Sequence, residues 1–475
     1  MATAKTFEIT PENTGLWHVK QSELAAKKTS ELLQKDLEKH HVYFNHAGFH
    51  NHVSNDTPFS ISHQLLALYG SGAPPESLEK AYKGNEGYQR PTEPVHGNPA
   101  KEFQDWAAAK PHLGKEEHYA DFLVFFQGEI DRLGGWENTL LEYMFKGDER
   151  SEDILVRMWA GLFHPIIQLM YGIEWRQPAI VAMALAQAAV HSNKWLNEIL
   201  PSAEAAAAAT TSSSMPSIVS LLDAVRTDHA EQMMERVDIN DNKTLSTQME
   251  RAWEAARKTA ERVRVDPAEL DERTAEMYDA ALYEGASAAL LRWPAKGPKW
   301  DFFLIHLINL SPIFLSINAQ DWIPLEAKVR LLEWKIRFDL LWYAALGCPE
   351  LSLDRISSYE PKDDKGPQAD DKLRSRLFAL SFEDDGHASK LFRSVYVGRH
   401  AIKKYDAEGK SWVKIRDTDG TWDKLAHMVV DSIEAPGPHW VRNAGNPDAW
   451  KTGYDGLDCT GGVTKLPYSI TRSMA

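Results

Sequence analysis

Acids, a histidine and a lysine lie close together in the segment "FEDDGHASKLF", which holds Asp384, Asp385, His387 and Lys390. Residues three apart share one face of a helix, so a helix beginning here places His387 beside Lys390. An imidazole exchanges protons or binds metals near neutral pH, and burial lowers the pKa of a lysine. These residue types indicate general acid–base or metal chemistry. The alternative is an exposed pair behind an N-terminal cap formed by the two acids.

Further histidines occur in three strongly apolar stretches. They are His50 and His52 in "GFHNH", His164 in "GLFHPII" and His306 in "FFLIHLINLS". A charged imidazole is costly in such surroundings, so each is either a core histidine with a satisfied hydrogen bond or part of a polar pocket. The proline after His164 predicts a kinked helix with a free carbonyl facing that pocket. Together the four segments indicate an enzyme.

Helical periodicity dominates the sequence and predicts a mostly α, single large helical domain with its core at about 40–450. "SELAAKKTSELLQKDLEKHH" follows an N-cap-like Ser22, and "PLEAKVRLLEWKIRFDLLWYAALG" begins at proline and ends at glycine. Residues 203–217 predict a flexible insert. Strand-like alternation occurs only near "KSWVKIRDTDGTW", where "DTDGT" predicts a hairpin turn. A less regular tail is expected beyond about residue 400.

Composition narrows the function and the location. The 475 residues carry a formal charge of −15, which argues against a nucleic-acid partner. Two cysteines give no disulfide framework, and the chain shows neither an apolar leader nor an uncharged apolar run long enough for a membrane span. We therefore expect a cytoplasmic protein with no membrane partner. A dimer is compatible with the sequence but is not required by it.

Motifs for common cofactors are missing from the sequence. It contains no Walker A loop, no GxGxxG and no GxSxG, so a tightly bound nucleotide, flavin or nicotinamide is not expected. The 16 tryptophans fit either a bulky helical core or a pocket that stacks a flat aromatic ligand.

The chain resembles the questin oxidase-like family, oxygenases of aromatic polyketide pathways. Matching stretches include "YFNHAGFHNH", "GLFHPIIQLMYGIE", "DFFLIHLIN", "EDDGHASKLFRSV" and "WVRNAGNPDAW". The resemblance implies a Baeyer–Villiger-like, O2-dependent opening of a reduced anthraquinone ring, without flavin. Members either use no cofactor or hold a non-haem iron among histidines, so Fe2+ and a metal-free site both stay open, with O2 as co-substrate.

The resemblance selects His50 or His52, His164, His306, His387 and Lys390 as site residues. With Asp385 from the acidic segment, the predicted catalytic set is His50, His52, His164, His306, His387, Lys390 and Asp385. If a metal is present, its ligands are His52, His164, His306, His387 and Lys390, and Lys390 must then be deprotonated or carboxylated because an ammonium cannot ligate. Tyr88, Trp159 and Trp334 are expected to hold the flat ring, and Arg90 or Arg393 to steady its phenolates. Gln168 stands where the family often has another histidine, and "SNDTPFSIS" departs from the family pattern, so His63 is not included.

Two rival functions remain open at this point. A helical carrier that binds an aromatic polyketide without changing it would use the same tryptophan-rich core. A cofactor-free hydrolase or cyclase would work without oxygen.

Overall fold

The computed structural model describes residues 1–41, 61–87, 89–191, 194–209, 214–233, 242–362, 369–384, 386–418 and 420–451. The described part is mostly helical, which confirms the predicted fold class. The α-helices are α1 (Glu23–Lys39), α2 (Ile61–Gly70), α3 (Pro75–Glu86), α4 (Pro99–Glu102), α5 (Trp106–Ala109), α6 (Tyr119–Arg132), α7 (Trp136–Met144), α8 (Glu149–Arg157), α9 (His164–Glu174), α10 (Pro178–Val190), α11 (Lys194–Ala209), α12 (Ile218–Met233), α13 (Asn242–Ala260), α14 (Leu270–Ala289), α15 (Phe302–Leu310), α16 (Pro312–Asn318), α17 (Leu325–Ala345), α18 (Leu353–Ser358), α19 (Ala369–Ala379), α20 (His387–Ala407) and α21 (Thr421–Glu434).

Two short strands complete the regular structure of the described residues. Strand β1 (His40–His41) pairs antiparallel with β2 (Arg90–Pro91). Helices continue to Glu434, so the less regular part begins later than predicted, and 435–451 contains one 3₁₀ turn at Pro447–Trp450. The single-domain assignment stays a prediction.

The predicted ends of α1 and α17 are confirmed. The Ser22 side chain accepts a hydrogen bond from the Ala25 backbone N–H and begins α1, as expected of an N-cap. Helix α17 follows Pro324 and ends just before Gly347, whose φ of 83° suits glycine.

One local prediction was wrong. The described residues around "KSWVKIRDTDGTW" contain no strand, because the Lys414 and Ile415 N–H groups donate to the Asp279 carboxylate (2.7 and 2.9 Å). The first residues of the proposed flexible insert, 203–209, are the last turns of α11, where Ala203 and Ala207 are buried.

Four helices that are distant in sequence pack around one point of the core. Helix α2 contacts α9 and α20, and α15 contacts the same two helices. Helix α10, apolar on all sides, lies against α9 and is almost entirely buried. The core therefore brings together the segments that carry the candidate histidines, as described below.

No single helix within the described ranges is long and apolar enough to cross a membrane. One pair, Glu149–Arg157 with Gly161–Glu174, passes on length and composition only when joined across a 72° bend.

Candidate active site

Four buried histidines meet where α2, α9, α15 and α20 pack together, and we call them the histidine cluster. Their ring centroids are 6.3 Å apart for His63 and His164, 5.2 Å for His164 and His306, and 4.7 Å for His306 and His387. Each is at most 3% exposed. Three of them, His164, His306 and His387, belong to the predicted set, so the structure brings together residues more than 200 positions apart in sequence.

Backbone hydrogen bonds fix the tautomers of two of these rings. The Nδ1–H of His306 donates to the Phe302 carbonyl (2.7 Å), and that of His164 donates to the Gly161 carbonyl (2.8 Å). A neutral imidazole protonated at Nδ1 carries its lone pair on Nε2. The His306 Nε2 atom lies 3.1 Å from Nε2 of His387. This pair either shares a proton or presents two lone pairs to one cation.

The cluster holds its imidazoles neutral. Burial is the largest cause that lowers the pKa of His63, His164, His306 and His387 well below the ordinary value. The nearby Lys390 lowers the pKa of all four. Lys390 is itself 4% exposed, one turn after His387 on α20. Neutral imidazoles accept protons or ligate metals, so the site suits both kinds of chemistry.

An unusual backbone turn presents His164. Gly161, Leu162 and Phe163 have φ values of 54°, 53° and 67°, and α9 begins at the next residue. Left-handed conformations are costly for residues with side chains, and they persist where the surrounding fold enforces them, often at functional sites. Pro165 occupies the second position of α9, where no N–H is needed. It therefore lies at the start of a helix, and the predicted kink was wrong. The carbonyl expected to be free is the Gly161 oxygen bonded to the His164 ring.

A buried carboxylate begins α20. The Asp384 oxygens accept the N–H groups of Ala388 and Ser389, both at 3.0 Å. The Asp384 backbone carbonyl also accepts the Gln64 side chain (2.8 Å), which ties α20 to α2. The cap expected from the sequence is therefore present, but His387 and Lys390 behind it are buried, so the alternative of an exposed pair is wrong.

Helix beginnings are concentrated at the cluster. His164 and His387 are the first residues of α9 and α20, and His63 is the third residue of α2. The N-terminal end of a helix carries partial positive charge from its N–H groups, but at α20 the Asp384 carboxylate accepts two of these groups. The group of this site that favours an anionic ligand such as a phenolate is therefore Lys390.

The segment after α21 covers one side of the cluster. The Val441 N–H and carbonyl bond to the backbone of Trp300 and Phe302, and Asp301 accepts the Ala444 N–H (2.8 Å). Trp440 then lies edge-on to His387, with centroids 6.0 Å apart. The neighbouring Arg442 lies 5.0 Å from the Phe302 ring centroid and further lowers the pKa of His387, after burial and Lys390. The conspicuous sequence "WVRNAGNPDAW" thus belongs to the site.

Two of the predicted aromatic binding residues lie in the core beside the cluster. Trp159 stacks on Phe338 (5.1 Å, 13°), which in turn contacts Phe163, the residue before His164. Trp334 lies edge-on to Trp159. Both indole N–H groups are buried and make no hydrogen bond within the described residues. Such groups suit a ligand carbonyl, so the prediction for these two residues stands as a prediction.

The two predicted arginines are engaged elsewhere. Arg393 forms a buried ion pair with Glu174, which also accepts the Leu16 N–H (2.7 Å). Arg90, which lies on β2, forms ion pairs with Glu93 and Glu116. These contacts favour structural roles. His50, His52, Tyr88 and Asp385 lie outside the described residues, so their assignments stay predictions.

His63 is the member of the histidine cluster that was not selected from the sequence. Its ring stacks on Tyr171 of α9 (5.1 Å, 22°) and lies near Gln168, which opposes the lowering of the His63 pKa. Neither ring nitrogen makes a hydrogen bond of good geometry to a described residue. The apolar helix "ISHQLLALYG" was a signal, but it fits a core histidine equally well.

A mostly helical protein with a buried, neutral four-imidazole centre beside a lysine fits an oxidative or metal-dependent enzyme. The chain belongs to the questin oxidase-like family, whose sequence pattern matches residues 49–395. It is 34% identical over 460 residues to "Baeyer-Villiger monooxygenase dmxR6" of Cryptosporiopsis sp., covering 94% of this chain and 98% of that protein. It is 31% identical over 449 residues to "Oxidoreductase AflY" of Aspergillus parasiticus (93% and 86% covered), and 29% identical over 453 residues to "Questin oxidase" of Aspergillus terreus (95% and 98% covered).

Proposed function

We propose that this protein is an oxygenase that opens the ring of a reduced anthraquinone-type substrate with O2. The convergence of His63, His164, His306 and His387 with Lys390 carries the proposal. The family membership supports the reaction class, since relatives are named as questin oxidase and Baeyer–Villiger monooxygenase.

The substrate supplies both electrons in this scheme, so the reaction balances without flavin or nicotinamide. Loss of a proton from one hydroquinone hydroxyl makes the central ring electron-rich. The ring carbon that bears the other hydroxyl then forms a bond to O2, which is reduced to a hydroperoxide on that carbon. This carbon then bears a hydroxyl, a hydroperoxide and two aryl groups. Migration of one aryl group to oxygen breaks the O–O bond and releases water, and the resulting lactone takes up water to give an acid and a phenol.

The histidine cluster provides the proton acceptor for the first step. A neutral imidazole with its lone pair on Nε2 is the required base, and the His306 Nδ1 bond to Phe302 favours that tautomer. The Lys390 charge stabilises the phenolate that forms. The buried indole N–H groups of Trp159 and Trp334 are our candidates to hold a carbonyl of the flat ring.

The spacing of one pair of these histidines fits two ligands of a non-haem iron. Two nitrogens bound side by side to one metal at about 2.1 Å each lie about 3 Å apart, which matches the 3.1 Å between the His306 and His387 Nε2 atoms. His63, His164, His306 and His387 would hold the metal, with Lys390 uncharged or carboxylated. A bound Fe(II) would supply direct activation of O2.

Metal analysis separates the two versions of the site. Protein purified without chelator is analysed for iron, alongside the His164→Ala and His387→Ala variants. One iron per chain that is lost in both variants supports the metal site. Full turnover in excess EDTA with no metal found leaves the metal-free base as the mechanism.

Oxygen uptake tests the reaction itself. An anaerobically reduced anthraquinone is mixed with the protein in ¹⁸O2-saturated buffer, and the product is analysed by mass spectrometry. We expect protein-dependent O2 consumption and a ring-opened product that retains ¹⁸O. Binding without O2 uptake would make the protein a carrier, and conversion under strict anaerobiosis would make it a hydrolase or cyclase; either result rejects the proposal.

A further inference from the structure

A second cluster of histidines lies at the start of α6, on elements that do not contribute to the histidine cluster. It contains His96 from the loop after β2, and His118 and Asp121 at the beginning of α6. One potential ligand atom from each of the three lies within 4.8 Å of the other two. The proposed function makes no use of these residues.

The Asp121 carboxylate holds this cluster together. Its Oδ1 accepts the His96 backbone N–H (2.7 Å). Its Oδ2 lies 3.1 Å from Nδ1 of His96 and 2.6 Å from Nδ1 of His118, so two imidazoles share a single oxygen. The Asp121 side chain is only 2% exposed, and within the described residues its ion-pair partners are these two imidazoles. A divalent cation bound at this oxygen would compensate the charge of the buried carboxylate.

A fourth side chain, that of His112, contacts the other ring nitrogen of His118. Nδ1 of His112 lies 2.9 Å from Nε2 of His118. When Nδ1 of His118 binds a metal, the ring proton moves to Nε2 and donates to His112. Metal-bound histidines are commonly oriented by such a bond from their other nitrogen.

We propose that Nδ1 of His96, Nδ1 of His118 and Oδ2 of Asp121 bind a divalent transition metal, with His112 as the positioning residue. Two imidazoles and one carboxylate form a ligand set for Zn²⁺ and its neighbours Co²⁺ and Ni²⁺, whereas Mg²⁺ and Ca²⁺ require oxygen ligands. The His96 side chain is 58% exposed, which provides an entry path and leaves a coordination position for water.

The position of this site indicates a structural effect. The metal would fasten the loop after β2 to the first turn of α6. Strand β2 pairs with β1, and His41 of β1 packs on Tyr119, the first residue of α6 (4.4 Å). A metal bound by His96 and His118 would therefore join the β1–β2 pair to the start of α6.

Metal titration of the full chain tests the site. Chelator-stripped protein is titrated with Co²⁺, followed by absorbance, and with Zn²⁺, followed by calorimetry and thermal unfolding. The variants are His96→Ala, Asp121→Asn and, as a matched exposed-histidine control, His400→Ala. Because metal ions can also enter the histidine cluster, the series is repeated in a His387→Ala background.

The proposal predicts one equivalent of metal that persists in His387→Ala and His400→Ala. In His96→Ala its affinity falls at least tenfold, and the Zn²⁺-dependent rise in melting temperature disappears. His96 is exposed, so its variant tests the site even if Asp121→Asn fails to fold. Identical binding by His96→Ala and His400→Ala, or loss of all binding in His387→Ala, would overturn the proposal without touching the proposed oxygenase function.

Discussion

The Asp384 cap is the most quantifiable support of the candidate active site. Its carboxylate accepts two buried N–H groups at the start of the helix that carries His387 and Lys390. Asp384→Ala leaves both N–H groups without an acceptor. An unsatisfied buried donor costs about 1–3 kcal/mol, so two of them should lower the free energy of unfolding by about 2–6 kcal/mol.

That loss converts into a measurable shift of the melting temperature. A chain of 475 residues unfolds with an entropy of about 1 kcal/mol/K at about 2.1 cal/mol/K per residue. Asp384→Ala should therefore melt about 2–6 °C below the wild type, and urea unfolding should give the matching free energy.

The matched control is Asp105→Ala. Asp105 caps the four-residue helix α5 by accepting the Ala107 N–H (3.0 Å), but it is exposed, so water replaces the lost acceptor. We expect this variant to lose no more than about 1 kcal/mol. Equal stabilities of the two variants would refute the claim that the Asp384 cap is a buried, irreplaceable support.

Three further predictions follow from buried groups and from the backbone. Burial lowers the pKa of His191 to about 3, so its contribution to stability is present above the ordinary pKa of 6.5 and is lost as the pH falls toward 3. In His191→Gln the amide can also donate to the Gln187 carbonyl, and the difference in unfolding free energy between pH 7 and pH 4.5 should shrink by about 2–3 kcal/mol. An unchanged difference would contradict this. Glu174→Gln leaves the buried Arg393 charge without its ion-pair partner and should lower the free energy of unfolding by about 3–5 kcal/mol. The double variant Glu174→Gln/Arg393→Met should recover most of this loss in urea unfolding. No recovery in the double variant would argue against an isolated ion pair. Leu162→Val places a β-branched residue at φ 53° and should lower the free energy of unfolding by about 1–3 kcal/mol. Leu162→Asn should lower it less, because asparagine tolerates positive φ better. The opposite order in thermal unfolding would show that this turn is not strained.

Much of the fold could be predicted from the sequence because helix ends are local events. Ser22 and Pro324 begin helices for reasons contained within a few residues, and Gly347 follows the end of one for the same kind of reason. The wrong strand prediction involves a distant contact. The alternation at 411–415 reads as a strand, but the Asp279 carboxylate from α14 binds its backbone instead.

The candidate site was predictable only in part. His164, His306 and His387 stand out because apolar neighbours or an acidic cap surround each one. His63 does not, since a histidine in an apolar helix fits the core equally well, and only the packing of α2 against α9 and α20 places it beside the others. The left-handed turn before His164 also has no sequence signal at Leu162 or Phe163, because neither residue type favours positive φ.

The most direct test of the central claim compares oxygen uptake with a reduced anthraquinone across four single alanine variants and one control. The variants replace His63, His164, His306 and His387 in turn, and the control is His191→Gln, a buried histidine outside the cluster. Loss of a proton-transfer or metal-binding residue should lower kcat/KM at least 100-fold in every folded variant, while the control stays within a few-fold of the wild type. Folded variants that consume O2 as fast as the control would contradict the assignment of the histidine cluster as the reaction centre.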